Sequence, residues 1–320
     1  MNFTVLGPGR WGSFIAWYLD RQKNNVTLWG REKDEKIKQF LETRSNEYVT
    51  LPSSISLSTN LEESLLKSDY IVISISAQGV RDLMSKVSKI EGYKNKKYIL
   101  CMKGIEDKTG KRLSTILIEF GVPKENIAVW VGPGHIQSFV AGVPSVMIID
   151  AYNPELSLFL VKNLKSELIR FYQGSDIIGS EIGAAAKNVM GIAAGLLDGM
   201  CFSTLKGGLM ARGAREISRL IGACGGKETS AYGLCHLGDY EATLFSKYSH
   251  NRMFGESFAK GEPYDKLAEG VATSSALLTL AKEVGVELPI TKTVYDVIHG
   301  NITKEQAIKQ LFARDNIKEF

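Results

Sequence analysis

Residues 3–12 read Phe-Thr-Val-Leu-Gly-Pro-Gly-Arg-Trp-Gly, a short apolar run that stops at Gly7, Gly9 and Gly12 and then enters the apolar-periodic segment Ser13 to Asp20. Few sequence features restrict a fold as much. A strand that turns sharply on a GxGxxG spacing and feeds a helix is the opening βα unit of a doubly wound parallel sheet. Each glycine has its own task. The first permits the tight turn, Gly9 lets a pyrophosphate approach the backbone, and Gly12 lets helix pack on strand, while the helix N-terminus turns unpaired N–H groups towards the phosphates. The spacing therefore points to a dinucleotide; the competing reading is a glycine-rich turn that binds nothing.

The chain continues in the same style to about residue 170. Short β-rich runs, Phe3 to Leu6, Val26 to Trp29, Tyr70 to Ile75, Tyr98 to Met102, Ala128 to Val131 and Ser145 to Ile149, alternate with helical or turn segments. Near Gln173 the texture changes to long segments rich in Ala, Gly, Leu and Lys with helical spacing. The expected fold is α/β: an N-terminal Rossmann-type, mostly parallel sheet over residues 1–175, then an all-helical C-terminal domain over 176–320. Ser180-Glu181 can start a helix, and Ile182 to Met200 is crowded with small residues, which implies close packing by neighbours. Further helices are expected over Gly207 to Cys224, Leu267 to Val284 and Thr303 to Leu311.

Composition narrows the function classes. The 320 residues suffice for two cores, and the four cysteines form neither a CxxC pair nor a metal-ligand cluster, so reduced thiols, no metal and a cytoplasmic location are expected. No apolar run reaches membrane-spanning length. A net charge of +4 over 39 basic and 35 acidic residues is too mild and too mixed for a nucleic-acid surface, yet it suits a small anionic substrate. A homodimer is compatible with the sequence, which does not fix the assembly.

The second strand ends at Trp29-Gly30-Arg31, about twenty residues past the fingerprint, where an acidic residue would hold the ribose 2′-hydroxyl of NAD. Arg31 offers a cation to a 2′-phosphate instead, so NADP(H) is favoured, with NAD(H) admitted because Glu32 and Asp34 lie close; the bland alternative is a solvated arginine. Ser74-Ile75-Ser76 ends a strand at the carboxyl edge, where ligands of open α/β sheets collect.

Lys187 stands inside the small-residue helix. Burial disfavours a charged amine, and a lysine tuned towards neutrality can exchange a proton with a carbonyl or alkoxide oxygen, so Lys187 is the candidate acid/base; otherwise it runs out to solvent along its stem. Lys103, after Tyr98 to Met102, is a second cation at the sheet edge, able to polarise a carbonyl. Asp239 and Thr243, four apart, would share one face of a helix and could orient a lysine or bind a hydroxyl, though Asp239 alone also reads as an N-cap. Ser249-His250-Asn251-Arg252 gathers donors suited to a phosphate, or forms a solvated polar loop.

With these residues in view, the chain resembles the NAD(P)-dependent glycerol-3-phosphate dehydrogenase family over nearly its whole length. The motifs that carry the resemblance are Gly7 to Gly12 with Trp11 inside it, Lys103-Gly104, Gly132-Pro133, Glu181 to Asn188, Leu237-Gly238-Asp239, Asn251-Arg252 before Phe254-Gly255, and Glu269-Gly270-Val271. The resemblance implies reduction of dihydroxyacetone phosphate to sn-glycerol 3-phosphate for glycerophospholipid synthesis. It implies that Lys187 is the proton donor/acceptor, assisted by Lys103 and Asp239, and that Gly132, Asn188, Thr243, Ser249, His250 and Asn251 join them in contacting the substrate. Gly7, Gly9, Arg10, Trp11, Gly12, Arg31, Lys103, Ile136, His250 and Glu269 are the implied cofactor contacts. Three positions depart from the family pattern. His250 replaces an arginine that touches phosphate and cofactor, which weakens the anion clamp unless the phosphate raises the histidine pKa or Arg252 compensates. Gly134 replaces a hydroxyl residue, and His236 a small one, either filling space or helping the anion site. The alternatives are a related reductase of another phosphorylated or phosphonylated ketone, or a catalytically weak NADP-binding regulator.

Overall fold

The apolar runs of the first half send alternate side chains to opposite sides, and both sides are covered. The computed structural model describes residues 1–313. Its strands are β1 (Asn2–Leu6), β2 (Asn25–Trp29), β3 (Ser56–Ser58), β4 (Tyr70–Ile73), β5 (Lys97–Leu100), β6 (Ile127–Val131), β7 (Ser145–Ala151) and β8 (Ile169–Gln173), in one sheet of order β3-β2-β1-β4-β5-β6-β7-β8. Neighbours run parallel except β7, which pairs antiparallel with β6 through Val129 and Asp150, so β7 and β8 oppose the rest. The α/β, mostly parallel expectation therefore holds. Two strands went unread: β3 is only Ser-Leu-Ser, and β8 is an edge strand whose Arg170 and Tyr172 face out. The runs ending at Ile75 and Met102 stop pairing at Ile73 and Leu100, leaving Ser74–Ser76 and Cys101–Lys103 as loops at the carboxyl edge.

Between strands lie α1 (Arg10–Arg21), α2 (Glu35–Thr43), α3 (Leu61–Leu66), α4 (Val80–Val87), α5 (Leu113–Glu119), α6 (Ile136–Val140) and α7 (Pro154–Leu164). On one face Phe3, Val5, Val72, Ile99 and Trp130 meet Phe14 and Tyr18 of α1, Phe139 of α6 and Leu160 of α7. On the other, Leu6, Ile71, Ile73, Tyr98 and Val129 meet Val80 and Met84 of α4 and Ile116 of α5. At roughly 1.5–3 kcal/mol per fully buried apolar side chain, this alternation fixes the register, because a one-residue slip would reverse it.

The chain forms two compact units: Met1–Lys103 with Arg112–Glu181, and Gly104–Lys111 with the chain from Ile182 onward. The division falls inside α8 (Ile177–Gly199). Within the first unit, two carboxylates anchor the start of this helix. Asp150, at the end of β7, accepts hydrogen bonds from Asp176 N and Ser180 Oγ, both at 2.9 Å. Burial pushes the Asp150 carboxyl above its ordinary range despite those bonds. Glu181 accepts from Ser114 N at 2.9 Å and pairs with Arg112 at 2.6 Å.

Among the described residues the second unit holds helices and turns and no strand: α9 (Lys206–Ala223), α10 (His250–Lys260), α11 (Glu269–Val284), α12 (Pro289–Ile298) and α13 (Lys304–Phe312) follow α8. Backbones touch where side chains are missing. A Cβ on Gly195 would lie 2.0 Å from Arg252 O, and one on Gly255 would lie 2.2 Å from Ile192 O, so the close approach of the α8 and α10 backbones requires glycine at both points. The excursion 104–111 closes on itself through Gly110 N to Glu106 O (2.9 Å) and packs on α11: a Cβ at Gly110 would lie 2.9 Å from Leu280 N. Among the described residues no helix is long and apolar enough to cross a membrane, and no group of His, Cys, Asp or Glu could hold a metal ion.

Candidate active site

Functional side chains gather at two places, one in each unit. In the first, the glycine turn sits at the carboxyl ends of β1 and β4. Gly7 has φ +118°, donates to Trp29 O at 2.9 Å, and has no room for a Cβ, which would lie 2.4 Å from Ser74 O. At Gly12 a Cβ would lie 1.9 Å from Gly7 O, so that glycine is required by helix-on-strand packing. Gly9 differs. Its φ of −72° and ψ of −176° are open to any residue, and a Cβ there would find nothing within 4 Å. Nothing in the fold asks for glycine at position 9, and the space beside it is open to an approaching ligand. The N-terminus of α1 fits that ligand, with no side-chain cap and no acidic residue in its first turn.

Around this turn, Lys103 donates to Gly132 O at 2.7 Å and its ammonium lies 5.8 Å from the Trp11 ring centroid. The Arg10 guanidinium lies 5.8 Å from the Tyr48 ring, and Arg31, after β2, is exposed. Ile136, the first residue of α6, is fully buried in the core of the sheet unit. Gly134 carries φ +151°, and a Cβ would strike the Phe139 ring at 2.4 Å. The aromatic ring stacked on Phe14 at 5.0 Å thus takes the space that a side chain at 134 would need.

In the second unit, Lys187 is 7 % exposed among the fully buried Ala184, Ala185 and Ala186, so it does not run out to solvent. Its Nζ donates to Thr243 Oγ1 at 2.8 Å and lies 3.1 Å from Asp239 Oδ2, and the Thr243 hydroxyl donates to Asp239 O at 2.7 Å. Asp239 and Thr243 are each 1 % exposed. The segment that carries them is a 3₁₀ turn, Leu237–Asp239, running into a π-helical turn, Glu241–Phe245, in place of the α-helix that the spacing suggests. Gly191, one turn beyond Lys187, leaves room for this turn: a Cβ would lie 2.9 Å from Thr243 Cγ2.

Ser249 to Arg252 is not a loop. Ser249 caps α10 by accepting from Arg252 N, and Asn251 Oδ1 accepts from Gly270 N at 2.9 Å, tying α10 to the start of α11, where half-buried Glu269 stands. Asn188 is buried, with its carbonyl against Gly270. His250 Nδ1 meets the Tyr264 hydroxyl at 2.7 Å. Two expectations need correction. Arg252 does not stand in for the missing arginine, because its guanidinium pairs with Asp198 and Glu256, both at 2.8 Å. His236 does not help an anion site either. Burial pushes its pKa down to about 4, so the ring is neutral. Its Nδ1–H donates to Gly183 O (2.9 Å), which leaves Nε2 to accept from Tyr240 OH (2.7 Å).

Comparison with known proteins gives both constellations a common setting. The model for the NAD-dependent glycerol-3-phosphate dehydrogenase N-terminus matches residues 2–157, and that for its C-terminus matches 176–309. A glycerol-3-phosphate dehydrogenase [NAD(P)+] of Prosthecochloris aestuarii is 34 % identical over 98 % of both chains. The chain belongs to the NAD-dependent glycerol-3-phosphate dehydrogenase family. A second such relative, from Pelodictyon phaeoclathratiforme, is 32 % identical over 98 % of both chains. The crystal structure of glycerol-3-phosphate dehydrogenase from Coxiella burnetii superposes with a TM-score of 0.89 at 26 % identity, covering 98 % of each chain.

Set on the family's frame, several polar groups stand out that sequence reasoning missed. Buried Lys206 donates to Asp198 at 2.6 Å and to Leu244 O at 3.0 Å; Arg112 and Ser114 hold Glu181; Tyr264 holds His250. Only Asp198 and Lys206 are close in sequence, eight residues apart, and that spacing across a helix end carries no recognisable pattern.

Proposed function

We propose that this chain reduces dihydroxyacetone phosphate to sn-glycerol 3-phosphate, reversibly, with NADPH preferred over NADH. One observation carries the reading: an amine sealed among alanines, held by a carboxylate and a hydroxyl, in a family whose chemistry needs a proton at the reduced carbonyl. We assign the sheet unit to the cofactor and the helical unit to the substrate. Gly9 and the N-terminus of α1 would seat the pyrophosphate, and Arg31 the 2′-phosphate. NADPH, when bound, supplies the hydride. Negative charge then grows on the C2 oxygen, and Lys187 Nζ passes a proton to it. Asp239 and Thr243 fix the amine's direction, so little reorganisation is left for the transition state. Lys103 adds a cation at the strand ends, while His250, Ser249 and Asn251 serve the phosphate, whose binding energy orients the reacting carbon. A cytoplasmic homodimer in glycerophospholipid synthesis completes the proposal.

The test is Lys187→Ala. Turnover should fall at least about a thousandfold, the upper range for a lost general acid, with the NADPH Kd within threefold of wild type. Wild-type turnover in this variant would remove Lys187 from the mechanism. His250 favours a second reading, since histidine lacks the arginine fork: another phosphorylated or phosphonylated ketone is then the better substrate. Initial rates with ketone and cofactor varied together separate the two.

A further inference from the structure

The π-helical turn that carries Thr243 has carbonyls at and just past its end that take hydrogen bonds from two cations, buried Lys206 and half-buried Arg252; Ser246 O also accepts from Ser249 N at 3.3 Å. Lys206 Nζ donates to Leu244 O at 3.0 Å, and Arg252 Nε donates to Ser246 O at 3.0 Å. Both cations converge on one oxygen, Asp198 Oδ2, at 2.6 and 2.8 Å, while Ser203 Oγ donates to Oδ1 at 2.7 Å. The Lys206 ammonium also lies 5.0 Å from the Phe245 ring centroid. Asp198 sits on α8 eleven residues after Lys187, three helical turns along nearly the same face. The turn is therefore referred to α8 twice. Thr243 meets the helix at the amine, and Leu244 and Ser246 meet it through the cations at Asp198.

We propose that Asp198, Lys206 and Arg252 are positioning residues that hold the turn Glu241–Phe245 in register with Lys187, and so set the direction of its amine. This rests on the proposed role of Lys187. The arrangement suits positioning better than stability alone. A partly buried ion cluster adds little net stability over an apolar replacement, whereas its directional bonds constrain geometry. Burial pushes the Asp198 carboxyl up, but the bonds from Lys206, Ser203 and Arg252 outweigh it and hold the group below its ordinary range, so Asp198 is ionised at neutral pH.

The experiment compares Lys206→Met and Lys206→Arg with wild type. In the Met variant, loss of the carbonyl clamp should lower kcat about tenfold to a hundredfold, the scale of a displacement near 1 Å, with the NADPH Kd unchanged and the ketone KM moved less than threefold. The Arg variant, which retains a cation, should recover most of the rate. Acylation of Lys187, followed by mass spectrometry at fixed pH without substrate, should run several-fold faster in the Met variant, because the amine loses its fixed acceptor. If Lys206→Met fails to fold, Asp198→Asn is read in the same way. Unchanged kcat and unchanged labelling in a folded variant overturn the proposal. Wild-type enzyme that reduces no phosphorylated ketone would overturn the functional reading instead, and the labelling rate would still decide the positioning claim.

Discussion

Gly9→Ala separates what the fold needs from what the ligand needs. The backbone at position 9 (φ −72°, ψ −176°) accepts alanine, and the new methyl meets no atom within 4 Å. The loss of an N-cap glycine and the reduced entropy of the unfolded chain each amount to at most about 1 kcal/mol and oppose one another, so the melting temperature without cofactor should stay within about 4 °C. Binding should suffer. A methyl at this point forces the pyrophosphate about 1 Å or more off the turn and removes one or two charge-assisted bonds of about 1.5–3 kcal/mol each. Taking about 3 kcal/mol, the NADPH Kd rises roughly 150-fold. In a melt at NADPH equal to 100 times the wild-type Kd, the wild type gains about 2.7 kcal/mol, or roughly 5–10 °C, and the variant only about 1 °C. Gly12→Ala is the converse, because its methyl would lie 1.9 Å from a backbone oxygen; it should lose about 3 kcal/mol or more before any cofactor is added. A Gly9→Ala protein that binds NADPH within threefold of wild type would refute the assignment of the turn to the pyrophosphate.

Two further tests address single groups. Arg31→Ala should raise the KM for NADPH about tenfold, the loss of one exposed contact to a 2′-phosphate, and leave that for NADH nearly unchanged; equal effects on both would assign Arg31 elsewhere. His236 has its folded pKa pushed down to about 4 from an ordinary 6.5. The unfolded chain therefore binds the proton more readily, and the stability from neutral His236 is complete above pH 6.5 and is lost as pH falls towards 4. The loss is about 3 kcal/mol in wild type. His236→Gln should be less stable at pH 7 and show a flatter decline over that window; matching slopes would discount the group.

The sheet was readable because its apolar alternation and glycine spacing are local signals. Six runs gave β1, β2, β4, β5, β6 and β7 to within two residues at most ends, while Ser56–Ser58 offered one apolar residue and Ile169–Gln173 an outward arginine and tyrosine. Lys187 could be singled out because small residues on every side left a lysine little route to solvent. Its partners were half legible. The four-residue spacing of Asp239 and Thr243 put them together, but the π-helical turn that does so depends on Lys206 and Arg252 reaching carbonyls from other helices. Ser249 read as either a phosphate donor or part of a polar loop, because an N-cap serine and a loop serine look alike until the following turn is seen to close. Glu181 with Ser114, and His236 with Gly183, are separated by 67 and 53 residues, distances over which a single sequence carries no pairing signal.

The eight residues 104–111 leave the sheet unit to fold with the helices and then return. Anyone who grafts the helical portion of one relative onto the nucleotide portion of another, cutting only near residue 181, would leave behind a strip of the recipient's own interior, with Gly110 torn from Leu280. Chimaeras ought to carry this octapeptide along with residues 182 onward. Recombination in nature faces the same arithmetic: three joints, not one, must be exchanged together.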